Sequence, residues 1–562
     1  MRIIKYGLAI IASLYIFNIF AQDIEAVAKA PLLTINGGVS VSQIGMYAQD
    51  NSNADPYSLY LGGNLNFSVL GVVNMPMSFA YTNRQLSKSV SLPFNRFSIA
   101  PSYKWVKVYA GYTSMQFSPY SLAGHEILGG GIELTPDNGF RISAIFGRLK
   151  KANSEEMDPS FKRMGGGFNV EYKKEKFDVG VNIFKAQDIL SSNPFSNPDS
   201  IPVNPQDNLT GSIKASVNIL TNLRLGAEYG ISAMNRNIAT NNKSEDDFQL
   251  LHTKGDLAIY HAQKALLTYT FDVSSIGATY ERVAPNYTTL GSYYMTNDYE
   301  NITANFSTAI RKLNIAVDGG YQRNNLDKQK SNTTSRIIWS ANVSSNVTEK
   351  LSLSASLSNL QAYVYVNDIY SQVTQTNEFQ NLDTLNVTQL NYTTSLNGSY
   401  LLEGSKERRQ STNLNFMYQK SAEAQQYSRF LGNDIYNTSL SYQLSLIPIQ
   451  FNVSTSVSNN YNRMPDNMYI NAITYNVSLQ KTFFKVLRSS LSTTFSDMYN
   501  QDGALSNVLN MRLSGGYVWA KKHNFNLALS LLHTGGIKDQ TQYMANLSYS
   551  YAFNATLLGS KK

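Results

Sequence analysis

Residues 511–519 read Met-Arg-Leu-Ser-Gly-Gly-Tyr-Val-Trp, residues 523–531 read His-Asn-Phe-Asn-Leu-Ala-Leu-Ser-Leu, and residues 543–553 read Tyr-Met-Ala-Asn-Leu-Ser-Tyr-Ser-Tyr-Ala-Phe. In each stretch apolar side chains alternate with small or polar ones, the period-2 pattern of a β-strand with two unlike faces. Lys521, Lys522 and His523 make a polar turn between the first two stretches, and Gly535 and Gly536 precede the third. A soluble antiparallel sheet usually carries Lys and Glu on its wet face. Here that face is mostly Asn, Ser, Gly and Ala, while the apolar face ends in Tyr549, Tyr551 and Phe553. Lipid outside and polar groups inside is the demand of a transmembrane β-barrel.

The same alternation runs without a composition break from about Leu33 to Phe553. Counting the runs predicts an all-β fold, a single antiparallel barrel of about 26 strands, an even number within the range for single-chain barrels. The connections have a rhythm of their own. Short turns, such as Gly71 to Asn74, Lys104, Pro136 to Gly139, Asp272 to Ser275 and Ala520 to His523, follow even-numbered strands. Long connections follow odd ones, chief among them residues 187–208, 235–256 and 367–386. Barrels of the outer membrane have short periplasmic turns and longer outer loops, so both chain ends are expected in the periplasm. The loop from Gln187 to Asn208 contains Pro194, Pro198, Pro202 and Pro205 and cannot join a ladder. Ser244 and Asp247 resemble a helix cap before residues 248–252, and the strand count shifts unless Leu257 to Phe271 is one strand.

Arg2 and Lys5 followed by an apolar run from Leu8 to Phe20 and a small residue, Ala21, have the form of an export signal over residues 1–21. No later stretch offers the roughly 18 apolar residues of a spanning helix. The barrel is expected over residues 22–553, with 554–562 as a short periplasmic tail. The chain has no cysteine, which excludes disulfides, thiol catalysis and a lipidated N-terminal cysteine. Its net charge of +8 falls to +6 without Arg2 and Lys5, with no basic cluster of the nucleic-acid-binding kind. Charged residues make up 15% of the chain, against about a quarter in ordinary domains, while aromatics reach 12%. That balance suits aromatic girdles at two membrane interfaces.

Chemistry is sparse. No two of His125, His252, His261, His523 and His533 stand at metal-ligand spacing, and no nucleophile and base declare themselves, so neither a catalytic site, a metal nor a cofactor is expected. Gly129, Gly130 and Gly131 have no helix after them, which argues for a wall patch where something packs closely rather than a phosphate cradle. The segment from Ser118 to Lys151 is the least generic. By parity Glu133 and Arg141 face the lumen, with Arg96 and Lys107 projecting the same way from neighbouring strands. They fit either a wall salt bridge that fixes register or a charged constriction where a plug docks.

Alternation, turn rhythm, leader and aromatic last strand together resemble the large outer-membrane β-barrels of Gram-negative bacteria. In that resemblance Tyr549, Tyr551 and Phe553 look like the lipid-facing terminal signal read by the barrel-assembly machinery, although the chain continues to Lys562. It also implies the cell outer membrane as location and its lipid and lipopolysaccharide as surroundings. About ten residues between Gln22 and the first strand leave no room for a plug domain. A barrel this wide needs loops, a partner or substrate in its lumen. The leading expectation is therefore transport or secretion, or a barrel subunit of an outer-membrane complex, with a plug or a periplasmic or surface protein as partner. The alternative is a surface protein whose loops bind a ligand while the barrel anchors them.

Overall fold

The computed structural model describes residues 31–49, 56–83, 95–153, 159–192, 203–238, 250–252, 255–330, 333, 335–359, 361–362, 389–422, 433–465, 468–536 and 539–558. Residues 1–21, 367–386 and most of 239–256 lie outside them, as does 193–202 within the proline-rich loop. All strands belong to one sheet of 28 segments, each paired antiparallel to its neighbours. Two wall strands are interrupted: Arg96–Ile99 continues as Ser102–Tyr103, and Leu351–Ser358 continues as Gln361–Ala362. The wall therefore has 26 strands, as the sequence predicts. It closes where Leu33–Ala48 pairs with Gln540–Leu558, from Leu33 opposite Leu558 to Ala48 opposite Gln542. Closure leaves no free edge with unpaired backbone amides, which is why such a sheet survives in lipid.

Leu257–Phe271 is a single strand, registered along its length against Leu223–Asn235. One boundary needs correcting. The last strand continues through Asn554 to Leu558, because residues 33–36 of the first strand supply partners for it, so the expected tail begins later than residue 554. At the proline-rich loop, Gln187, Asp188, Asp207 and Asn208 belong to strands, and Leu190–Ser192 forms one 3-10 turn.

Short turns gather at one end of the barrel. Leu70, Lys104, Asp272, Arg311, Phe484, Lys485, Ala520 and Lys521 hold left-handed φ angles of 48 to 60° there. Such angles match the twist of tight hairpins and explain how turns of so few residues reverse the chain without glycine at every corner.

Parity gives the wall two faces. Leu513, Leu527, Leu529 and Leu547 point outward with roughly half of each side chain exposed, and the same holds around the wall for residues such as Ile213, Ile302 and Leu440. Aromatic rows bound this apolar band. At the long-loop end Tyr418, Tyr436, Tyr461 and Tyr469 follow one another at 4.8, 6.1 and 5.5 Å between ring centres. At the turn end, His523 lies 4.9 Å from Trp519 and 4.6 Å from Tyr551, and Phe525 lies 4.8 Å from Tyr549. An apolar band between two aromatic girdles is the outer surface of a membrane-spanning barrel.

The inner face is uneven. Asn314, Ser344, Ser354, Asn397, Asn415, Ser439, Ser458, Thr474 and Ser496 stand in direct register across nine successive strands, forming an uncharged hoop of hydroxyls and amides. Charge is concentrated on the other side.

Candidate functional site

That charged side spans the strands from Val106–Gln116 to Ser274–Val283. Arg141, Glu171, Gly180, Lys214, Glu228, Lys264 and Glu281 are consecutive register partners on seven neighbouring strands. All lie opposite the lipid-facing parity of Ile142, Val181, Ile213, Tyr229 and Ile276, so they form a hoop of alternating charge on the inner wall. Opposite charges directly across a ladder stabilise it and like charges would not, which accounts for the alternation. Lys214 Nζ passes over Gly180 to reach Glu171 Oε1 at 2.6 Å, and Lys264 leans to Glu281 at 3.8 Å. Near the turns, Asp178 holds Arg224 at 2.5 Å and Ser216 at 2.7 Å.

The four inward-facing residues expected from sequence divide between two places. Arg141 Nη2 donates to Glu133 Oε2 at 2.8 Å, the pair read from the sequence, and Lys107 is the register partner of Glu133. Lys107 lies over the ring of Tyr109 at 4.8 Å. Arg96 is elsewhere, at the long-loop end on the face opposite Phe97, where it pairs with Glu126 at 2.7 Å. Tyr549, Tyr551 and Phe553 lie on the outer face with Tyr543 and Leu547, far from the hoop along the wall.

Above the hoop two connections turn inward. Residues 117–122 follow the strand Val106–Gln116, and residues 284–298 follow Ser274–Val283. Ser118 Oγ donates to Glu228 Oε1. Tyr120 OH donates to Glu281 Oε1 at 2.6 Å, and Ser121 Oγ donates to Asn182 Oδ1 at 2.5 Å. The second loop is tied to the first and to the wall: Tyr287 OH donates to the Tyr120 carbonyl at 2.7 Å, Thr289 Oγ1 to the Ser121 carbonyl at 2.5 Å, and Ser232 Oγ to the Thr288 carbonyl at 2.6 Å. The Leu290 amide donates to Asn208 Oδ1 at 3.0 Å.

Apolar packing supports these bonds. Phe117, Leu122 and Leu290 pack with Met115, Ile127, Ile145, Leu149, Phe184, Ala186 and Met234, a small core inside the barrel. Tyr120 and Tyr287 meet edge to face, with 6.2 Å between ring centres. Gly230 provides the seat for Tyr120, because a Cβ there would stand 2.7 Å from Tyr120 Cβ. The glycine strand plays the matching part: a Cβ on Gly131 would meet the Met115 methyl at 2.8 Å. Burial and the Glu281 carboxylate push the Tyr120 phenol far up, and burial does the same for Tyr287, so both remain hydrogen-bond donors at any physiological pH. Tyr293 is raised by burial to about 12, and its hydroxyl accepts from the Glu126 amide while its ring stacks on His125 at 4.0 Å.

A second strap lies at the rim on the outer side of the wall. Asp207 accepts from the His252 amide and ring at 2.9 and 2.6 Å and pairs with buried Lys185. Burial, reinforced by the nearby Lys185 charge, lowers the basicity of His252. Among the described residues no three metal-ligating side chains come together.

Sequence reasoning found Glu133, Arg141 and the close-packed glycine strand. It did not find Glu171, Lys214, Glu228 or Glu281, nor the inward course of residues 284–298. Alternation assigns a side chain to a face, but its height on that face depends on the register of every strand between.

No protein family and no curated protein matches the chain. Among the solved structures of similar fold are the following three. The P pilus usher (PapC) translocation pore shares 13% identity over 93% of this chain and 100% of that one, with a TM-score of 0.35. An E. coli P pilus tip assembly intermediate, PapC-PapD-PapK-PapG, shares 12% identity over 95% of this chain and 62% of that one, with a TM-score of 0.45. The ferric citrate transporter FecA in its unliganded form shares 9% identity over 93% and 79%, with a TM-score of 0.40. At these identities and scores the likenesses add nothing to the barrel already described.

Proposed function

We propose that the chain is an outer-membrane pore for transport or secretion, narrowed from within by residues 117–122 and 284–298. In this reading residues 1–21 direct export, the short turns and both chain ends lie in the periplasm, and the long loops face outward. The observation that carries it is the seating of Tyr120, bonded to Glu281 and packed on Gly230, well inside the wall. A surface protein that uses its barrel only as an anchor has no need of a loop tied to the inner wall at three carboxylate or amide acceptors. No catalytic role is assigned, and basic turn residues such as Lys173, Lys174 and Lys176 are the docking points for a periplasmic partner.

The test is ion conductance in planar bilayers, using protein whose folded barrel is first verified by its heat-dependent gel mobility. Defined conductance steps that grow in Gly230→Val, where the loop loses its seat, are expected. A folded barrel that conducts in neither form would sink the pore reading and leave the anchor reading. Gentle extraction with a native mass measurement reports whether a second chain accompanies it.

A further inference from the structure

Between the inward loop and the charged hoop lies a cavity of about 500 Å³, walled by Glu133, Arg141, Glu171, Lys214 and Glu228 and roofed by residues 114–119. That volume falls in the range of small-molecule pockets, about 300–1,000 Å³. Its charged groups are not fully used. Both hydrogen bonds to Glu228, from Ser118 and from Ser212, fall on Oε1, and among the described residues Oε2 accepts none. Lys264, its register partner on the far side, leans instead toward Glu281. At the other end of the cavity Arg141 binds Glu133 through Nε and Nη2, leaving Nη1, and Lys214 spends one of its three N–H donors on Glu171. Phe117 and Pro119 add an apolar lip.

We infer that this cavity binds a short peptide with free ends, its ammonium group on Glu228 and its carboxylate on the open N–H groups of Lys214 and Arg141. The hydrogen-bond donors to Glu228 are hydroxyls, and the lysines on either side of it, Lys214 and Lys264, reach away to Glu171 and Glu281, so its open oxygen is left for a cationic group. Arg141 and Lys214 both face Glu171, which leaves their spare donors as the place for an anion. Lys214 starts on the strand next to Glu228 but carries its ammonium group across Gly180 to Glu171, where Arg141 faces it, and the strand of Glu171 lies three places from that of Glu228, a spacing of roughly 14 Å at about 4.8 Å per strand. An extended tripeptide, at about 3.3–3.6 Å per residue, fills that span once a hydrogen bond is added at each end. A single amino acid is too short to touch both. The inference rests on the proposed pore, since such a peptide reaches the cavity only through an accessible lumen.

The experiment is calorimetric titration of the folded, detergent-solubilised protein with trialanine, N-acetyl-trialanine and trialanine amide. It does not depend on conductance, so a failed pore and a failed site are distinguished. Trialanine is expected to bind, and both capped forms to bind at least about tenfold more weakly, the loss of a charge-assisted hydrogen bond. Glu228→Gln keeps an acceptor for Ser118 and Ser212. It is expected to weaken trialanine while leaving N-acetyl-trialanine unchanged. Arg141→Gln is expected to weaken trialanine and to leave trialanine amide unchanged. No binding of trialanine, equal binding of all three peptides, or variants that bind as the parent does would each overturn the inference.

Discussion

Lys214 reaches Glu171 by crossing over Gly180, the residue that separates them on the intervening strand. A Cβ on Gly180 would stand 2.7 Å from Lys214 Cε and 3.3 Å from Glu171 Cγ, so the crossing exists only because that position has no side chain. Gly180→Val is expected to separate the pair. Both partners are partly exposed to the lumen, so the stability lost with the ion pair is small, below about 1 kcal/mol. The larger effect is a lysine redirected into the lumen, read as a change in ion selectivity with nearly unchanged heat-dependent gel mobility.

Tyr120→Phe removes one hydrogen bond to a carboxylate and keeps the ring on Gly230. It is expected to loosen the inward loop by about 1.5–3 kcal/mol, the usual worth of a bond to a charged group. Noisier conductance with unchanged barrel stability would report this. Current traces indistinguishable from the parent would show that Glu281 does not hold the loop.

Acid is expected to release the rim between two loops. Burial alone would raise the Asp298 carboxyl, but the hydrogen bond and charge of Lys330 and the amides of Leu326 and Asn325 outweigh it and hold the pKa below the usual value. A carboxylate depressed on folding contributes stability above its unfolded pKa, about 3.9, and loses it as pH falls through the folded value. Proteolysis within residues 284–330 should therefore quicken as pH is lowered past about 4. In Asp298→Asn it should be fast already at neutral pH and independent of pH across that window.

The two faces of one strand make opposite predictions. Leu513→Arg places a charge in the apolar band and is expected to cost about 2–4 kcal/mol, whereas Ser514→Arg points into a wet lumen and is expected to be tolerated. Urea titration of the barrel in lipid vesicles measures both. Equal costs would contradict the inside–outside assignment.

Removal of residues 554–562 is expected to slow or prevent closure. Asn36, Ile35 and Thr34 pair with Asn554, Ala555 and Thr556, so the deletion strips backbone partners from the start of the first strand. Normal yield of heat-modifiable barrel from the shortened chain would show that the seam does not need them.

The wall was legible in the sequence because its code is local. Whether Leu513 or Ser514 faces lipid depends only on parity, and turns such as Ala520 to His523 are marked by residues that tolerate a reversal. The site was legible only where its partners are close along the chain, as Glu133 and Arg141 are. Ser118 and Glu228 are 110 residues apart, and Tyr120 and Glu281 are 161 apart. Their meeting depends on the accumulated register of the strands between and on the inward turn of a loop, which residues 118–122 mark as unusual without dictating its direction. The aromatics of the last strand stop at Phe553, which is where the sequence places the end of the barrel. The backbone ladder, which needs no aromatic side chain, continues to Leu558.

The anchors of the inward loop are all drawn from one half of the wall. Residues 117–122 are held by Asn182, Glu228, Gly230 and Glu281 and by Tyr287 and Thr289 of the second loop. A stretch of wall that stops at residue 150 contains the loop but none of these groups to fasten it. The loop is therefore fixed only when the strands from Val106–Gln116 to Ser274–Val283 stand side by side, whichever end of the barrel forms first. The other half of the wall, uncharged across its inner hoop, supplies none of these anchors and only completes the enclosure.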